Sequence, residues 1–228
     1  MSSLHSKAEE TLEWAAATYP GQVVLAGSFG GPSGMVLLDM VARLQLPIPT
    51  YYLDTGLLFP QTYELIEKVR ERYGIDPIAV EPELDLEAQA AQFGEALWAR
   101  DPNKCCALRK VAPQRKFLSN YRAWITGLRR DQSPTRASIQ IVEWDELSGG
   151  LFKISPLAEW TEEDVWAAIR MYDIPYNALH EEGYPSLGCI PCTRAVAPGD
   201  DMRAGRWAGF TKTECGLHAR PTAEKNAT

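Results

Sequence analysis

An α/β fold, a mostly parallel twisted sheet with helices on both faces, follows from three features of this 228-residue sequence. Short apolar runs alternate with helical segments through residue 142, the arrangement that builds a parallel sheet from crossover units. A Gly-rich turn, "GSFGGPSG", stands between the first apolar run and the helix after it. The composition, 45% hydrophobic and 23% charged, is that of an ordinary globular protein and argues against disorder, a coiled coil or a fibre. The length is near what a single core supports, so one domain with a functional tail is the economical organisation.

The elements follow in chain order. Residues 8–17, "AEETLEWAAA", read as a helix with Leu12, Ala15 and Ala16 on one face. Gln22 to Ala26 is the first strand, Gly27 to Gly34 its turn, and Met35 to about Leu44 the next helix. "TYYLDTG" gives a second strand ending at Asp54, and Pro60 opens a helix that Gly74 closes. "PIAVEP" is a third strand, residues 85–100 are helical, and "KCC" opens a helix broken or kinked at Pro113. "YRAWITGLRR" is a fourth strand running into a basic turn. Thr161 caps a helix with Asp164 in its first turn and Val165, Trp166, Ile169 and Tyr172 toward the core. From residue 193 onward apolar periodicity fades, which reads as a mobile tail. The seven tryptophans are assigned to packing.

The net charge of -7 argues against binding nucleic acid or an acidic membrane surface by bulk attraction. No signal-like start and no run of about 18 apolar residues is present, which places the expected location in the cytoplasm. In a reducing compartment, five cysteines at 105, 106, 189, 192 and 215 read as ligands or reactive thiols rather than disulfides.

Cys105-Cys106 and the Cys189-x-x-Cys192 pair are able to converge on one four-thiolate site for zinc or an iron–sulfur cluster. Adjacent cysteines, about 3.8 Å apart at Cα, are strained as two corners of one small tetrahedron, and a cluster spreads its irons more widely. The cluster reading therefore precedes zinc, and both precede a buried apolar pair or a lone redox motif. Lys104, Arg109 and Lys110 would stabilise the cluster's negative charge, or else form a solvated helix face. Cys215 has polar neighbours, which favours a reactive thiol over a core one. The Gly-rich turn offers backbone N–H groups at a helix N-terminus to phosphate or sulfate, through Ser28, Gly30 and Gly31.

These motifs in order, "CC", "RRDQSPTR", "IPYNALHEEGYPSLGC", "GCIPCTR" and "ECGLH", are similar to those of the assimilatory adenylyl-sulfate reductases, within the phosphoadenylyl-sulfate/adenylyl-sulfate reductase family. The resemblance runs from about Val23 to Ala219. It implies a PP-loop fold like that of the adenine nucleotide alpha hydrolases, with residues 1–192 as the reductase domain and 193–228 as a C-terminal catalytic tail. It also implies a 4Fe-4S cluster on Cys105, Cys106, Cys189 and Cys192, and conversion of adenosine 5'-phosphosulfate (APS) to sulfite and AMP. Cys215 is the implied nucleophile, forming an S-sulfocysteine that an external reductant, thioredoxin or a glutaredoxin, resolves. Lys212, His218 and Arg220 are local cations able to raise its thiolate fraction, although His218 also reads as a solvent-exposed tail histidine.

Substrate contacts implied by the resemblance are Arg129, Arg130 and Arg136, whose alternative is a basic surface turn, together with Arg203 and Arg206. Asp54, Thr55 and Gly56 lie at a strand's carboxyl end, where a nucleotide is expected, though Asp54 equally suits a turn cap. Pro32, Ser33 and Gly34 replace the acidic residues of ATP-cleaving PP-loop enzymes, which counts against ATP hydrolysis. Three rivals stay open: the 3'-phosphorylated substrate (PAPS), an ATP-using PP-loop thiolation enzyme, and a non-enzymatic cluster-based redox sensor. A homo-oligomer is also left open.

Overall fold

The computed structural model describes residues 3–197, 199–212 and 214–218. Six strands form one sheet: β1 (Val23–Ala26), β2 (Thr50–Leu53), β3 (Ile78–Val80), β4 (Ala123–Ile125), β5 (Val142–Asp145) and β6 (Leu151–Ile154). Their order is β3-β2-β1-β4-β6-β5, parallel throughout except for β5, which pairs antiparallel with β6 at the edge. The order reverses between β1 and β4, so their carboxyl ends diverge and leave a crevice, the usual ligand position in such sheets.

Both faces of the sheet are covered. Val23, Leu25, Ala123 and Ile125 point into one apolar layer, packed by α1 (Ser3–Thr18), α2 (Pro32–Arg43), α3 (Pro60–Tyr73) and α8 (Glu162–Tyr172). Val24 and Trp124 alternate to the other face, where Leu118 of α7 (Ala112–Leu118) joins Tyr51, Val80 and Leu151. The alternation of two buried faces explains why the central strands read as unbroken apolar runs.

Most elements stand where the sequence predicts them. Gly74 closes α3 in the left-handed conformation, with φ 64°. Thr161 and Asp164 form a reciprocal capping box on α8, and the Thr161 backbone and hydroxyl bonds hold the Asp164 carboxyl below its ordinary pKa. Val165 and Ile169 are buried, while Trp166 and Tyr172 are only partly so.

Four differences have physical causes. The helix predicted over 85–100 is two, α4 (Leu86–Phe93) and α5 (Leu97–Arg100), separated where Gly94 and Ala96 take positive φ. α2 begins at Pro32, earlier than expected, because Pro fits a first helical turn that needs no N–H donor. The break near Pro113 takes the form of a π-helical turn, Ala107–Val111, joining α6 (Pro102–Cys106) to α7. The β5–β6 hairpin has no counterpart in the sequence prediction, because β5 leaves Val142 and Trp144 exposed and carries no buried stripe.

Nor do all tryptophans pack inside. Trp14 and Trp144 are 42% and 56% exposed, whereas Trp124 and Trp207 are buried against cavities. No helix among the described residues is long and apolar enough to cross a membrane.

Candidate active site

The crevice between β1 and β4 opens into a cavity of about 270 Å³. Its floor is the β1–α2 turn: Ser28, Gly30 and Gly31 line it, with the N-terminus of α2 behind them. The approach of β4 makes this floor tight. A Cβ on Gly127 would lie 3.0 Å from the Gly34 nitrogen, and one on Gly34 would lie 3.1 Å from the Ser28 nitrogen, so neither position has room for a side chain.

Arginines from separate segments converge on the cavity. Arg129, 2% exposed, lies just past β4, donates from Nη1 to Ser33 Oγ, and pairs with Asp131 at 2.9 Å. Arg136 sits on a short 3-10 turn. Arg203 and Arg206 come from the far end of the chain. Arg206 Nη1 donates to the Leu187 carbonyl at 3.0 Å, while its Nε is buried with no hydrogen-bond partner. Burial lowers the Arg203 pKa, with Arg136 and Arg206 adding repulsion against the pull of Glu214.

Of the candidate contacts, Ser28, Gly30, Gly31, Thr55, Arg129, Arg136, Arg203, Arg206 and Cys215 all line this cavity. Asp54, Gly56 and Arg130 do not. Asp54 accepts from Gly56 N (2.9 Å) and Tyr63 Oη (2.8 Å), so it serves as a turn cap. Gly56 turns with φ 67° against the Arg109 guanidinium. Arg130 points away, donating to the Ile139 carbonyl at 3.0 Å and pairing with Glu159.

A second, smaller pocket lies behind the first and is lined by Cys105, Cys106, Cys189 and Cys192 together. Two features bring the pairs to one place. Asp101 caps α6 and aims Cys105 and Cys106 inward, and Ile190 N donates to the Leu57 carbonyl (2.8 Å), which ties the Cys189 turn to the segment after β2. Thr55 Oγ1 lies 3.3 Å from Cys189 Sγ.

All four are free thiols. Burial, then repulsion among neighbouring thiols, pushes Cys105 up to about 12 and Cys192 up to about 11; burial also raises Cys106 against the pull of Lys110. Thiols gathered away from water with raised pKa values at Cys105, Cys106 and Cys192 suit a polynuclear cation better than water. No group of three or more His, Cys, Asp or Glu side chains among the described residues is gathered closely enough to hold a metal ion. The sulfurs surround a pocket rather than a point, an arrangement that fits the wider volume of a cluster.

Arg109 and Lys110 sit on the π-helical turn directly after the cysteines. Arg109 is buried and fixed by Thr55 O (2.6 Å), Leu84 O (3.2 Å) and Gln89 Oε1 (3.1 Å). Lys110 lines both pockets. Burial lowers its pKa, but the Cys189, Cys215 and Cys106 thiols outweigh that and leave it raised, hence charged. Lys104 points elsewhere, over the Phe93 ring.

The described residues between 193 and 218 fold back over the cavity. Thr193 and Arg206 form an antiparallel bridge, Trp207 N donates to Cys192 O at 3.1 Å, and Lys212 Nζ reaches Asn103 Oδ1 at 2.6 Å. Trp207 has a left-handed backbone, φ 46°, costly for a bulky residue and therefore held by its surroundings. Arg206 lies 4.5 Å and Lys212 5.4 Å from its ring centre. With Lys110 it forms the partition between the two pockets. The sequence assigns this residue to packing with the other tryptophans; its position in "RAGRWAG", beside candidate arginines, is the one available signal of a role at the site.

Cys215 lines the cavity within electrostatic reach of Cys106, Lys110 and Arg203. His218 does not match the exposed tail histidine expected: it lies flat on Trp124, centroids 5.7 Å apart and planes 7° from parallel. Burial, then the nearby Lys153, Arg136 and Arg203 charges, drives its pKa well below 6.5, so it is neutral. Arg220 lies outside the described residues.

The arginine-lined cavity thus holds the Cys215 thiol and adjoins the four-thiol pocket. The phosphoadenosine phosphosulfate reductase domain model covers residues 22–195. The chain belongs to this family. Among curated relatives, adenosine 5'-phosphosulfate reductase of Salinibacter ruber is 51% identical over 95% of this chain and 85% of its own. Adenosine 5'-phosphosulfate reductase 2 of Bacillus subtilis is 52% identical over 92% and 88%. Among solved structures, phosphoadenylyl-sulfate reductase of Candida auris, in a phosphate complex, superposes with a TM-score of 0.72 at 32% identity over 82% of this chain and 90% of that one. FMN adenylyltransferase of Candida glabrata, at 16% identity and TM-score 0.57, shares the fold.

Proposed function

We propose that this protein reduces adenosine 5'-phosphosulfate to sulfite and AMP in sulfate assimilation, using Cys215 as nucleophile. The observation that carries the reading is a single unpaired thiol set in an arginine-lined cavity beside four converging thiols. Relatives about 50% identical are named for this reaction.

The cavity suits the substrate's two ends. The β1–α2 turn and helix N-terminus receive an anionic group, Arg129, Arg136, Arg203 and Arg206 add charge, and the unpartnered Arg206 Nε is a donor awaiting an acceptor. The Cys215 thiolate attacks the sulfate sulfur, the bond from that sulfur to the phosphate oxygen breaks, and AMP leaves with the electron pair. A thiol of an external dithiol, thioredoxin or a glutaredoxin, then attacks Cys215 Sγ. Sulfite departs with the pair from the S–S bond, and the second thiol of the dithiol frees Cys215 as the reductant becomes a disulfide. Residues 193–228 act as the catalytic tail and residues 1–192 as the body that holds the nucleotide.

Cys105, Cys106, Cys189 and Cys192 would hold a 4Fe-4S cluster, with Arg109 and Lys110 beside it. When bound there, the cluster would supply a fixed electrostatic environment for an anionic substrate. Lys110, facing both pockets, orients the sulfate end from the partition.

Intact-mass analysis of iron-loaded protein after incubation with APS tests this. A sulfonate-sized gain is expected in the wild type and not in Cys215→Ser, with iron retained in both. An adduct that persists in Cys215→Ser, or full-rate reduction by iron-free protein, overturns the reading.

A further inference from the structure

Two of the arginines assigned to the substrate are already engaged with a carboxylate. Arg136 binds Glu214 through two parallel bonds, Nε to Oε1 at 3.0 Å and Nη2 to Oε2 at 2.9 Å, and Arg203 Nη2 adds a third at 3.3 Å. Thr135 Oγ1 lies 3.5 Å from Oε1. The side chains are 11%, 13% and 19% exposed for Arg136, Glu214 and Arg203, so the cluster is largely withdrawn from water. A forked guanidinium on two oxygens, reinforced by a second guanidinium, is also how arginines grip a phosphate or sulfate group. Glu214 lines the same cavity and directly precedes Cys215.

We infer that Glu214 is a resident counter-anion: its carboxylate holds the Arg136–Arg203 pair when no substrate is bound, and the anionic end of the substrate takes its place. The inference rests on the APS reading of the cavity. Two largely buried guanidinium groups facing each other without an anion repel, which is why the cavity favours a carboxylate there. Because neighbouring Cα atoms are only about 3.8 Å apart, displacing Glu214 also shifts Cys215. Glu214 is thereby a positioning residue. It couples occupancy of the arginine pair to the place of the nucleophile, and its return after AMP leaves competes with rebinding.

The test compares iron-loaded Cys215→Ser with Cys215→Ser/Glu214→Gln, so that no chemistry follows binding. The isosteric Gln keeps size and loses charge. Calorimetry with APS is expected to give a Kd several-fold to about tenfold lower for the double variant, as expected when a partly buried ion pair no longer competes. Adenosine, which has no anionic group, is expected to bind both equally. Limited trypsin digestion without nucleotide, cutting after Arg194, Arg203 or Lys212, is expected to be faster in the double variant. Unchanged or weaker APS binding, or an equal gain for adenosine, overturns the inference. If APS binds but neither its affinity nor the digestion rate responds to Glu214→Gln, the counter-anion role falls and the APS reading stands. If APS fails to bind either variant while Glu214→Gln still speeds digestion, the APS reading falls and Glu214 remains the arm's anchor.

Discussion

The two cavities share a wall and need opposite charges. Behind the wall, four thiols line one small pocket, and burial with repulsion from neighbouring thiols holds Cys105 at about 12 and Cys192 at about 11, so a cation suits the space. In front of it, arginines from three segments line a cavity whose charge carboxylates balance, Glu214 against Arg136 and Arg203 and Asp131 against Arg129. Lys110 stands in both, its pKa raised despite burial, and Trp207 separates the two while stacking on cations. The lesson is that the two pockets are coupled through the groups they share, since Lys110 and Trp207 line both.

Removing a thiol breaks this pairing most severely. Cys106→Ala is expected to lose its iron, measured by iron and sulfide analysis, and with it sulfite formation, which falls at least about 100-fold. Next, Lys110→Ala keeps the thiols and removes the cation they share. Iron content is expected to stay near wild type while kcat/KM for APS falls on the order of 100-fold, as when one charge-stabilising donor is lost. Loss of iron in this variant would show instead that Lys110 serves only the rear pocket.

A smaller effect is expected from the partition itself. Trp207→Phe retains an aromatic face but leaves part of the wall open. Iron loading is expected to persist, with several-fold faster bleaching of the iron–sulfur absorption in air and a kcat/KM loss of about tenfold or less, the scale of a cation–π contact. Faster bleaching without any change in kcat/KM would confine Trp207 to shielding.

The smallest effect concerns pH. His218 is held neutral on Trp124 with its folded pKa below 6.5, so the released arm binds a proton that the docked arm does not. Docking is therefore fully favourable above about pH 6.5 and weakens as pH falls through and below that value. Trypsin cleavage in the 193–218 segment is expected to quicken a few-fold between about pH 7.5 and pH 5.5, roughly one unit on either side of an ordinary histidine. The dependence is expected to flatten in His218→Phe, which stacks without titrating.

Much of this was legible in the residues. The β1–α2 unit, the Thr161 cap and the helix closed by Gly74 each rest on local rules of apolar period, capping and turn chemistry, and local rules act over a few residues. The hairpin of β5 and β6 escaped because an edge strand with exposed Val142 and Trp144 leaves no buried pattern to read. Likewise, "LDTG" was legible as a strand end, but only the packed structure separates Thr55, which faces the cavity and Cys189, from Asp54, which caps its own turn.

The sequence by itself determined which chemistries were present: two thiol pairs, a fifth thiol in a polar setting, a Gly-rich turn before a helix and an excess of arginine near both. Tertiary structure decided which of these face one another. Residues 105 and 189, or 136 and 214, are too far apart along the chain for any local propensity to relate them; the sheet order and the fold-back of the described residues between 193 and 218 bring them together. Whether an arginine meets a substrate cavity, a carboxylate on the arm or bulk solvent is decided by that long-range packing, and with it the charge each pocket is left to fill.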